Sequence, residues 1–202
     1  MRLFIGIALA DEAETALLRV RERLGRFSSA ESELRWSQPE SWHVTLQFLG
    51  QTSDEQARCV VEKLGTVRAE PVPVRIEGLG FFERAGVFWA GVALTPELLA
   101  LQQKVVAAMR GCGFVPEDRA YRPHITLARA KGRAGARALG VVRGYVEKNK
   151  VNVRAEFVAG EFLLYESVTG PEGSRYLVRA RQLLALGVPS DRNADPFDSR
   201  LN

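Results

Sequence analysis

The chain of 202 residues contains 46% apolar and 26% charged residues, a composition typical of a globular protein with a substantial core. No apolar run approaches the ~20 residues that cross a bilayer, and MRLFIGIALADE becomes acidic before a signal peptide could be completed. We therefore expect a cytoplasmic protein without membrane contact. The net charge of +4 would suit a polyanionic partner, but the charges are scattered, so charge alone decides no function.

The two cysteines, Cys59 and Cys112, lie far apart in the sequence. Each belongs to a segment that we predict to be a helix or the end of one. We therefore expect two free thiols rather than a disulfide or a metal site.

The first part of the chain predicts a strand, a helix and a second strand. IGIAL, residues 5–9, is a short apolar strand, and Asp11 and Glu14 follow at the spacing of a capping box. Apolar residues then recur every three or four positions and indicate one buried helical face: Leu17, Val20, Leu24 and Phe27. The turn-rich SQPES leads to a strand that begins at His43, HVTLQFLG.

A helix and a strand complete this first unit. Ser53, with Gln56 three residues later, predicts the start of the helix. Its apolar residues are Ala57, Val60, Val61 and Leu64. VRIEGLGFF, from Val74, then predicts a strand.

A second unit repeats this order. AGVAL, residues 90–94, corresponds to IGIAL, and Thr95 and Pro96 predict the start of a helix that ends at Gly111. The apolar face of that helix is Leu98, Leu101, Val105 and Met109. PEDRAYRP leads to the second histidine strand, HITLARA, at 124–130; then KGRAGARALGVVRGYVEK predicts a loop and helix, and VRAEFVAGEFLLY, from Val153, a strand.

Two further turns complete the predicted architecture. ERAG leads into VFWAGVAL and VTGPEGS into RYLVRA, and both suit hairpins between antiparallel strands. We predict an α+β fold of two lobes related by an approximate twofold axis, each a mainly antiparallel sheet covered by helices, with a cleft between them. This single domain would span residues 1–187, and the polar tail 188–202 would be disordered.

His43 and His124 are the two histidines of the chain, and each opens its strand with the pattern H-x-T-L. Side chains alternate along a strand, so each histidine shares a face with the threonine two positions later, at a Cα distance of about 6.6 Å. The predicted site face is His43, Thr45 and Gln47 in one strand, and His124, Thr126 and Ala128 in the other. The predicted core face is Val44, Leu46 and Phe48, and Ile125 and Leu127.

If these strands lie side by side, two imidazoles and two hydroxyls line one cleft. Two histidines are too few for zinc without nearby acids, and the chain has neither a nucleophile elbow nor a glycine-rich phosphate loop in its proper context. Metal-free phosphoryl transfer fits better. A neutral imidazole takes a proton from the attacking oxygen, and a protonated one gives a proton to the leaving oxygen. The threonines would donate hydrogen bonds to the non-bridging phosphate oxygens.

Two arginines are candidates for binding the phosphate, Arg122 and Arg129. Simple alternation places Arg122 on the His124 face and Arg129 on the opposite face. Pro123 makes this parity less certain, and a bend after Ala128 could turn Arg129 inward, so both arginines remain candidates.

The chain resembles the 2H phosphoesterases, and among them the RNA 2′,3′-cyclic phosphodiesterase or 2′-5′ RNA ligase-like branch. The resemblance runs over residues 2–181, through RLFIGIAL, RW, HVTLQFLG, GFF, VFWAGV, RPHITLAR, FLLYESV and RY. It implies a bilobal fold, no metal or cofactor, and hydrolysis of a terminal 2′,3′-cyclic phosphate on RNA or a nucleotide to a 2′-phosphomonoester, with reverse 2′-5′ ligation in some members.

The resemblance also assigns roles to the site residues. It makes His43 the proton donor to the departing 3′ oxygen, His124 the base that activates water, and Arg129 the first choice for the phosphate, with Arg122 retained. We expect a monomer. The alternatives are a non-catalytic module that binds RNA ends, or an enzyme for another cyclic phosphate, such as an ADP-ribose derivative, or for 2′-5′ oligonucleotides.

Overall fold

Two antiparallel sheets form the framework of the chain, which a computed structural model describes over residues 1–25, 33–170 and 173–185. The strands are β1 (Arg2–Ala8), β2 (Leu34–Trp36), β3 (His43–Gln51), β4 (Val72–Phe82), β5 (Val87–Val92), β6 (His124–Ala130), β7 (Arg154–Ala159), β8 (Glu161–Gly170) and β9 (Gly173–Leu183). The helices are α1 (Asp11–Gly25), α2 (Asp54–Leu64), α3 (Pro96–Arg110) and α4 (Gly132–Lys148).

The order of strands interleaves the two sequence units. One sheet has the order β3-β1-β8-β9 and the other β2-β6-β5-β4-β7. The last strand of the first unit, β4, therefore joins the sheet that holds the second histidine strand, and β8 and β9 join the sheet of the first. The prediction of an α+β fold with two antiparallel sheets and covering helices is confirmed.

Both predicted hairpins are present, β4 with β5 and β8 with β9. The segment VRAEFVAGEFLLY is not one strand, however. It divides at Gly160 into β7, which pairs with β4, and β8, which pairs with β1 in the other sheet. The alternation of apolar residues continues through the segment without a break at this change of sheet. The prediction of a single strand from Val153 was therefore wrong.

The helix predictions hold in most details. Ser53 and Gln56 form the predicted capping box of α2, and the Thr95 hydroxyl accepts from the Leu98 amide at the start of α3. The KGRAGARALGVVRGYVEK segment is one helix from Gly132. Buried stripes follow the predicted spacing: Leu17, Val20 and Leu24 in α1, Val60 and Leu64 in α2, and Leu98, Leu101, Val105 and Met109 in α3.

Three details of the helix predictions differ or lie outside the described residues. Asp11 is the first residue of α1 and not its cap, because the Glu14 amide donates to the Ala10 carbonyl. Val61 is exposed on α2. Phe27 and the predicted tail 188–202 lie outside the described residues.

The pairing of the histidine strands fixes the register of the internal repeat. Ala8 faces His43 across β1 and β3, and Gly91 faces His124 across β5 and β6. The structure therefore relates Ala8 to Gly91, whereas the alignment of IGIAL with AGVAL relates Gly6 to Gly91. That alignment is displaced by two residues, because an alternating strand matches itself equally well after a two-residue slip.

Helices and sheets enclose one large apolar core, to which the inward faces of both histidine strands contribute Val44, Leu46, Ile125 and Leu127. α1 packs against β7, α3 against both β3 and β4, and α4 against β6 and β2. A second, small apolar cluster of Phe4, Leu163 and Tyr165 is separate from that core. Within the described ranges no helix is long and apolar enough to span a bilayer.

Cys59 and Cys112 form a disulfide, so the prediction of two free thiols is wrong. Cys59 lies in α2, and Cys112 follows the end of α3 at Gly111. These helices pack together and bring the two Cα atoms to 5.7 Å, within the range that a disulfide requires. The sequence separation of 53 residues conceals this proximity.

We predict that reduction of this disulfide destabilises the protein. Closing a loop of 53 residues restricts the unfolded chain and stabilises the fold by about 4 kcal/mol in the chain-entropy model. Urea unfolding with and without dithiothreitol should therefore give free energies that differ by roughly 2–5 kcal/mol. The Cys59→Ser, Cys112→Ser double variant should have the same free energy of unfolding as the reduced protein, and dithiothreitol should not change it. Two thiols that titrate in the folded protein before reduction would contradict this result.

Candidate active site

The two histidine strands meet at one cavity, although they belong to different sheets. Cα atoms of β3 and β6 approach within 8 Å. The cavity has a volume of about 380 Å³, within the range of small-molecule sites. Its lining residues are Arg2, Leu3, Phe4, Ser37, Ser41, His43, Phe48, Thr126, Arg129, Ser167 and Tyr176. Both motifs thus supply side chains to the same space.

A β-bulge in β6 decides which arginine faces this cavity. Thr126 faces Trp89 and Ala128 faces Phe88, so Leu127 is an extra residue on its strand. An extra residue inverts the alternation of side chains beyond it. Arg129 therefore returns to the face of His124 and Thr126 and lines the cavity. The parity prediction for Arg129 was wrong, and its observed position agrees with the one that the family resemblance implies.

β3 contains the same bulge at the same place. Thr45 faces Gly6 and Gln47 faces Ile5, which leaves Leu46 as the extra residue. Gln47 is consequently buried, with no hydrogen-bond partner for its Oε1 among the described residues, and Phe48 is 51% exposed and lines the cavity. The predicted faces of Gln47 and Phe48 are therefore exchanged. Ala128 is likewise buried and not on the site face.

The backbone orients both imidazoles in the same way. Nδ1 of His43 donates to the Ser41 carbonyl at 2.7 Å, and Nδ1 of His124 donates to the Arg122 carbonyl at 2.8 Å. A carbonyl oxygen only accepts, so each Nδ1 carries a hydrogen. Nε2 is then the nitrogen of each ring that is left to accept or donate a proton at a ligand.

Aromatic rings fix each imidazole from the side. The ring of Tyr176 meets His43 edge-on at 5.2 Å, and the ring of Phe82 meets His124 edge-on at 5.0 Å. Phe4 packs on His43 at 4.5 Å. Sequence reasoning did not assign a role to these aromatic residues, although Phe82 and Tyr176 lie in the GFF and RY segments of the resemblance.

Gly6 permits the close approach of His43 to the neighbouring strand. A Cβ at this position would lie 2.9 Å from the Val44 carbonyl oxygen and 3.3 Å from the His43 ring. Any larger residue would displace β3 or the catalytic candidate itself. The glycine is therefore required by space at the strand interface rather than by a special backbone angle.

Burial lowers the pKa of His43 from its usual value near 6.5 to about 4. The positive charges of His124 and Arg129 lower the pKa further, while the hydrogen bond to Ser41 acts in the opposite direction. The free protein therefore holds His43 neutral at physiological pH. A bound anion would stabilise the imidazolium and raise this pKa.

The connection before His124 supplies two further contacts. The Tyr121 hydroxyl donates to the Thr45 carbonyl at 2.8 Å and so ties the segment before the second motif to the strand of the first. Burial raises the pKa of Tyr121, which keeps the phenol protonated. Arg122 contributes its carbonyl to His124, but its side chain is exposed and does not line the cavity.

Over the described ranges, no group of three or more histidine, cysteine, aspartate or glutamate side chains is placed to hold a metal ion. The site instead combines the His43 imidazole, hydroxyl groups and a guanidinium around one cavity. The His124 imidazole does not line this cavity but lies near enough to His43 for its charge to lower the pKa of His43. This set of groups can bind an oxyanion and move protons on either side of it.

Comparisons with known proteins find similar sequences over most of the chain. The family model of the 2′-5′ RNA ligase superfamily matches residues 19–170. An RNA 2′,3′-cyclic phosphodiesterase from Archaeoglobus fulgidus is 29% identical over 179 residues, covering 87% of this chain and 96% of the relative. A protein of the same name from Aeropyrum pernix is 30% identical over 141 residues, covering 64% and 80%.

Solved structures share the fold. A phosphoesterase superposes with a TM-score of 0.74 at 24% identity, covering 92% of this chain and 98% of that one. LigT of Escherichia coli complexed with 3′-AMP gives a TM-score of 0.73 at 23% identity, with the same coverage. This likeness extends over both sheets, so the bilobal arrangement is that of a known group of structures.

We predict that ligand binding shifts the titration of His43. The chain has two histidines, so a sample with ¹⁵N-labelled histidine gives two ring systems, and a His124→Gln variant assigns them. In the free protein the His43 ring should titrate near pH 4. Saturating inorganic phosphate should raise this pKa by one unit or more, because an adjacent anion favours the imidazolium. A free-protein value near 6.5, unmoved by phosphate, would contradict the burial argument.

Proposed function

Because the chain belongs to the 2′-5′ RNA ligase superfamily, we propose that it is an RNA 2′,3′-cyclic phosphodiesterase, a hydrolase that opens a terminal 2′,3′-cyclic phosphate to a 2′-phosphomonoester. Relatives that match over most of the chain carry this activity in their names. The observation that carries the proposal is the pair of identically oriented imidazoles, each with Nδ1 held by a backbone carbonyl and Nε2 left for the reaction.

The two imidazoles suit the two proton transfers of the reaction. His124 Nε2 takes a proton from water as its oxygen forms a bond to phosphorus. His43 Nε2 gives a proton to the ribose 3′ oxygen as its bond to phosphorus breaks. One proton is taken up and one is released, so each turnover leaves the pair with exchanged protonation states, which solvent then restores. The assignment of donor and acceptor to these residues follows the family resemblance.

The low pKa of His43 in the free protein bears directly on the donor role. A neutral imidazole has no proton to give, so His43 must be protonated by the time the phosphate is bound. The phosphodiester anion provides the counter-charge that burial otherwise denies the imidazolium. Substrate binding and protonation of His43 are therefore coupled.

Arg129, Thr45 and Thr126 complete the proposed site. Arg129 and Thr126 line the cavity, and Thr45 shares the strand face of His43. Their N–H and O–H groups donate to the non-bridging oxygens, where negative charge must be held as water attacks. The guanidinium is always charged and can donate two parallel hydrogen bonds, so it should contribute most of this stabilisation.

Several further properties of the protein remain predictions. Joining of RNA ends through 2′-5′ linkages would be the reverse of the same chemistry. The substrate could instead be another cyclic phosphate or a 2′-5′ oligonucleotide, whereas a module that only binds RNA ends would need no pair of proton-transfer groups. We also retain a monomeric, cytoplasmic enzyme, for which the Cys59–Cys112 disulfide is unusual.

The purified protein should hydrolyse uridine 2′,3′-cyclic phosphate, and RNA that ends in this group, in the presence of EDTA. The product should be the 2′-phosphate, identified by chromatography or ³¹P NMR, because the 3′ oxygen leaves. Loss of all activity in EDTA would refute metal-free catalysis, and a 3′-phosphate product would reverse the leaving group.

The His43→Ala and His124→Ala variants serve as controls for this assay. Each should lower turnover by roughly 10²-fold or more, as expected for removal of a general acid or base. Circular dichroism should show that both variants fold. Near-normal activity in either folded variant would rule out the two-histidine mechanism.

A second prediction separates the two candidate arginines. Arg129→Gln removes the guanidinium that lines the cavity and should lower kcat/KM by roughly 10²-fold, as for loss of one transition-state donor. The matched change Arg122→Gln removes the same charge at an exposed position outside the cavity and should lower it less than about threefold. Steady-state rates for both variants at one ionic strength decide between them, and a larger loss at Arg122 would invert the assignment.

A further inference from the structure

One end of the cavity carries a row of hydrogen-bond donors that the proposed chemistry does not use. Ser167 on β8 faces Tyr176 on β9. Leu3 on β1 faces Glu166 on β8, so Arg2 lies beside Ser167 one step further along the antiparallel pair. A guanidinium, a hydroxyl and a phenol thus occupy neighbouring positions across three strands that are about 4.8 Å apart. All three residues line the cavity.

An aromatic row separates Arg2 and Ser167 from His43, whereas the ring of Tyr176 contacts both His43 and that row. Phe4 on β1 faces Phe48 on β3 and Tyr165 on β8. The rings of Phe4 and Tyr165 stack at 4.9 Å, and the rings of Phe4 and Phe48 lie 5.8 Å apart. Successive residues on one strand face are about 6.6 Å apart, so Arg2 lies roughly 13 Å along β1 from Gly6, which packs beside His43.

The positive charge at this end of the cavity has no partner in the part of the chain that the structure describes. Arg2 is exposed and forms no ion pair or side-chain hydrogen bond with any residue in the described ranges. Burial raises the pKa of Tyr176, and the positive charges of Arg129 and Arg2 act against that increase, so the phenol lies within reach of both guanidinium groups. The cavity therefore has two cationic residues, Arg129 and Arg2, and Tyr176 lies near both.

The proposed direction of proton transfer indicates where the ribose of the substrate lies in the cavity. If His43 gives its proton to a ribose oxygen, the ribose must lie on the His43 side of the reacting phosphate. The same cavity is lined by Phe4 and Phe48 of the aromatic row and by Arg2, Ser167 and Tyr176. A ribose that enters from Arg129 presents its 5′ substituent to the donor row.

We propose that Arg2, with Ser167 and Tyr176, binds the phosphate attached to the 5′ oxygen of the terminal nucleotide. This inference rests on the proposed function. The bound group is a phosphate anion one nucleotide upstream of the cyclic phosphate, and it belongs either to a 5′-monophosphate or to the next internucleotide linkage. The protein would thereby favour RNA ends and 5′-phosphorylated nucleotides over nucleosides that carry the cyclic phosphate alone.

Three substrates with the same reacting group test this preference: uridine 2′,3′-cyclic phosphate, its 5′-phosphorylated form, and adenylyl-uridine with a 2′,3′-cyclic end. The 5′ phosphate in either form should raise kcat/KM by roughly 10- to 100-fold, mainly through KM, as expected for charge-assisted hydrogen bonds. A gain with the dinucleotide alone identifies the internucleotide phosphate as the ligand, and a gain with the 5′-monophosphate alone identifies the nucleotide.

Variants of the donor row should reduce the ratio of kcat/KM for a substrate with the 5′ phosphate to kcat/KM for uridine 2′,3′-cyclic phosphate. Arg2→Gln should bring the ratio close to 1, and Ser167→Ala and Tyr176→Phe should each reduce it by a smaller factor. Arg58→Gln is the matched control, because Arg58 is an exposed arginine on α2 outside the cavity. The control should keep the wild-type ratio, which separates local binding from the effect of net charge.

Binding measurements separate a failure of this inference from a failure of the proposed function. A wild-type ratio near 1, or a ratio unchanged in Arg2→Gln, overturns the inference while hydrolysis itself stands. If no substrate is hydrolysed, the proposed function fails, and calorimetry decides the inference alone. Uridine 2′,5′-bisphosphate should bind roughly 10-fold or more tightly than uridine 2′-phosphate, and Arg2→Gln should abolish the difference. Equal affinities in the wild type overturn the inference.

Discussion

The extra residue in each histidine strand is the constraint on which the rest of the site depends. A regular strand would place His43 and Thr45 on the cleft face and then direct Phe48 into the core. With the bulge at Leu46, and its counterpart at Leu127, each strand keeps two consecutive residues inside, Leu46 with Gln47 and Leu127 with Ala128, and returns the next side chain to the cleft. Arg129 lines the cavity for this reason.

The hydrogen bond from each Nδ1 to a carbonyl two residues earlier is the second constraint, and it comes from the strand entrance rather than from the strand. It fixes the tautomer through a carbonyl oxygen and leaves Nε2 of each ring for a ligand. The same burial that fixes His43 disfavours its cation. We therefore expect His43 to gain a proton when an anion binds. Part of the binding energy of the phosphate would then be used to protonate His43, the proposed general acid.

Much of this arrangement follows from the sequence. The H-x-T-L pairs, the capped helices and the hairpins are local patterns, and each specifies local structure. The features that the sequence does not reveal depend on contacts between distant parts of the chain or on details of strand pairing. The disulfide depends on the packing of α2 against α3, the change of sheet at Gly160 interrupts no apolar pattern, and the bulges leave the composition of the strands unaltered. Tyr121, whose hydroxyl holds the Thr45 carbonyl, is also invisible from sequence spacing.

The repeat supplies two similar imidazoles, and departures from symmetry would give them different tasks: Phe48 stands where the other strand has Arg129. The most direct test of these tasks uses a cyclic substrate whose 3′ oxygen is replaced by sulfur, because a thiolate leaves without a proton. His43→Ala should hydrolyse this substrate at a rate close to that of the wild type, while His124→Ala should stay inactive. Equal loss in both variants, or rescue of His124→Ala instead, would contradict the assignment of His43 as the acid.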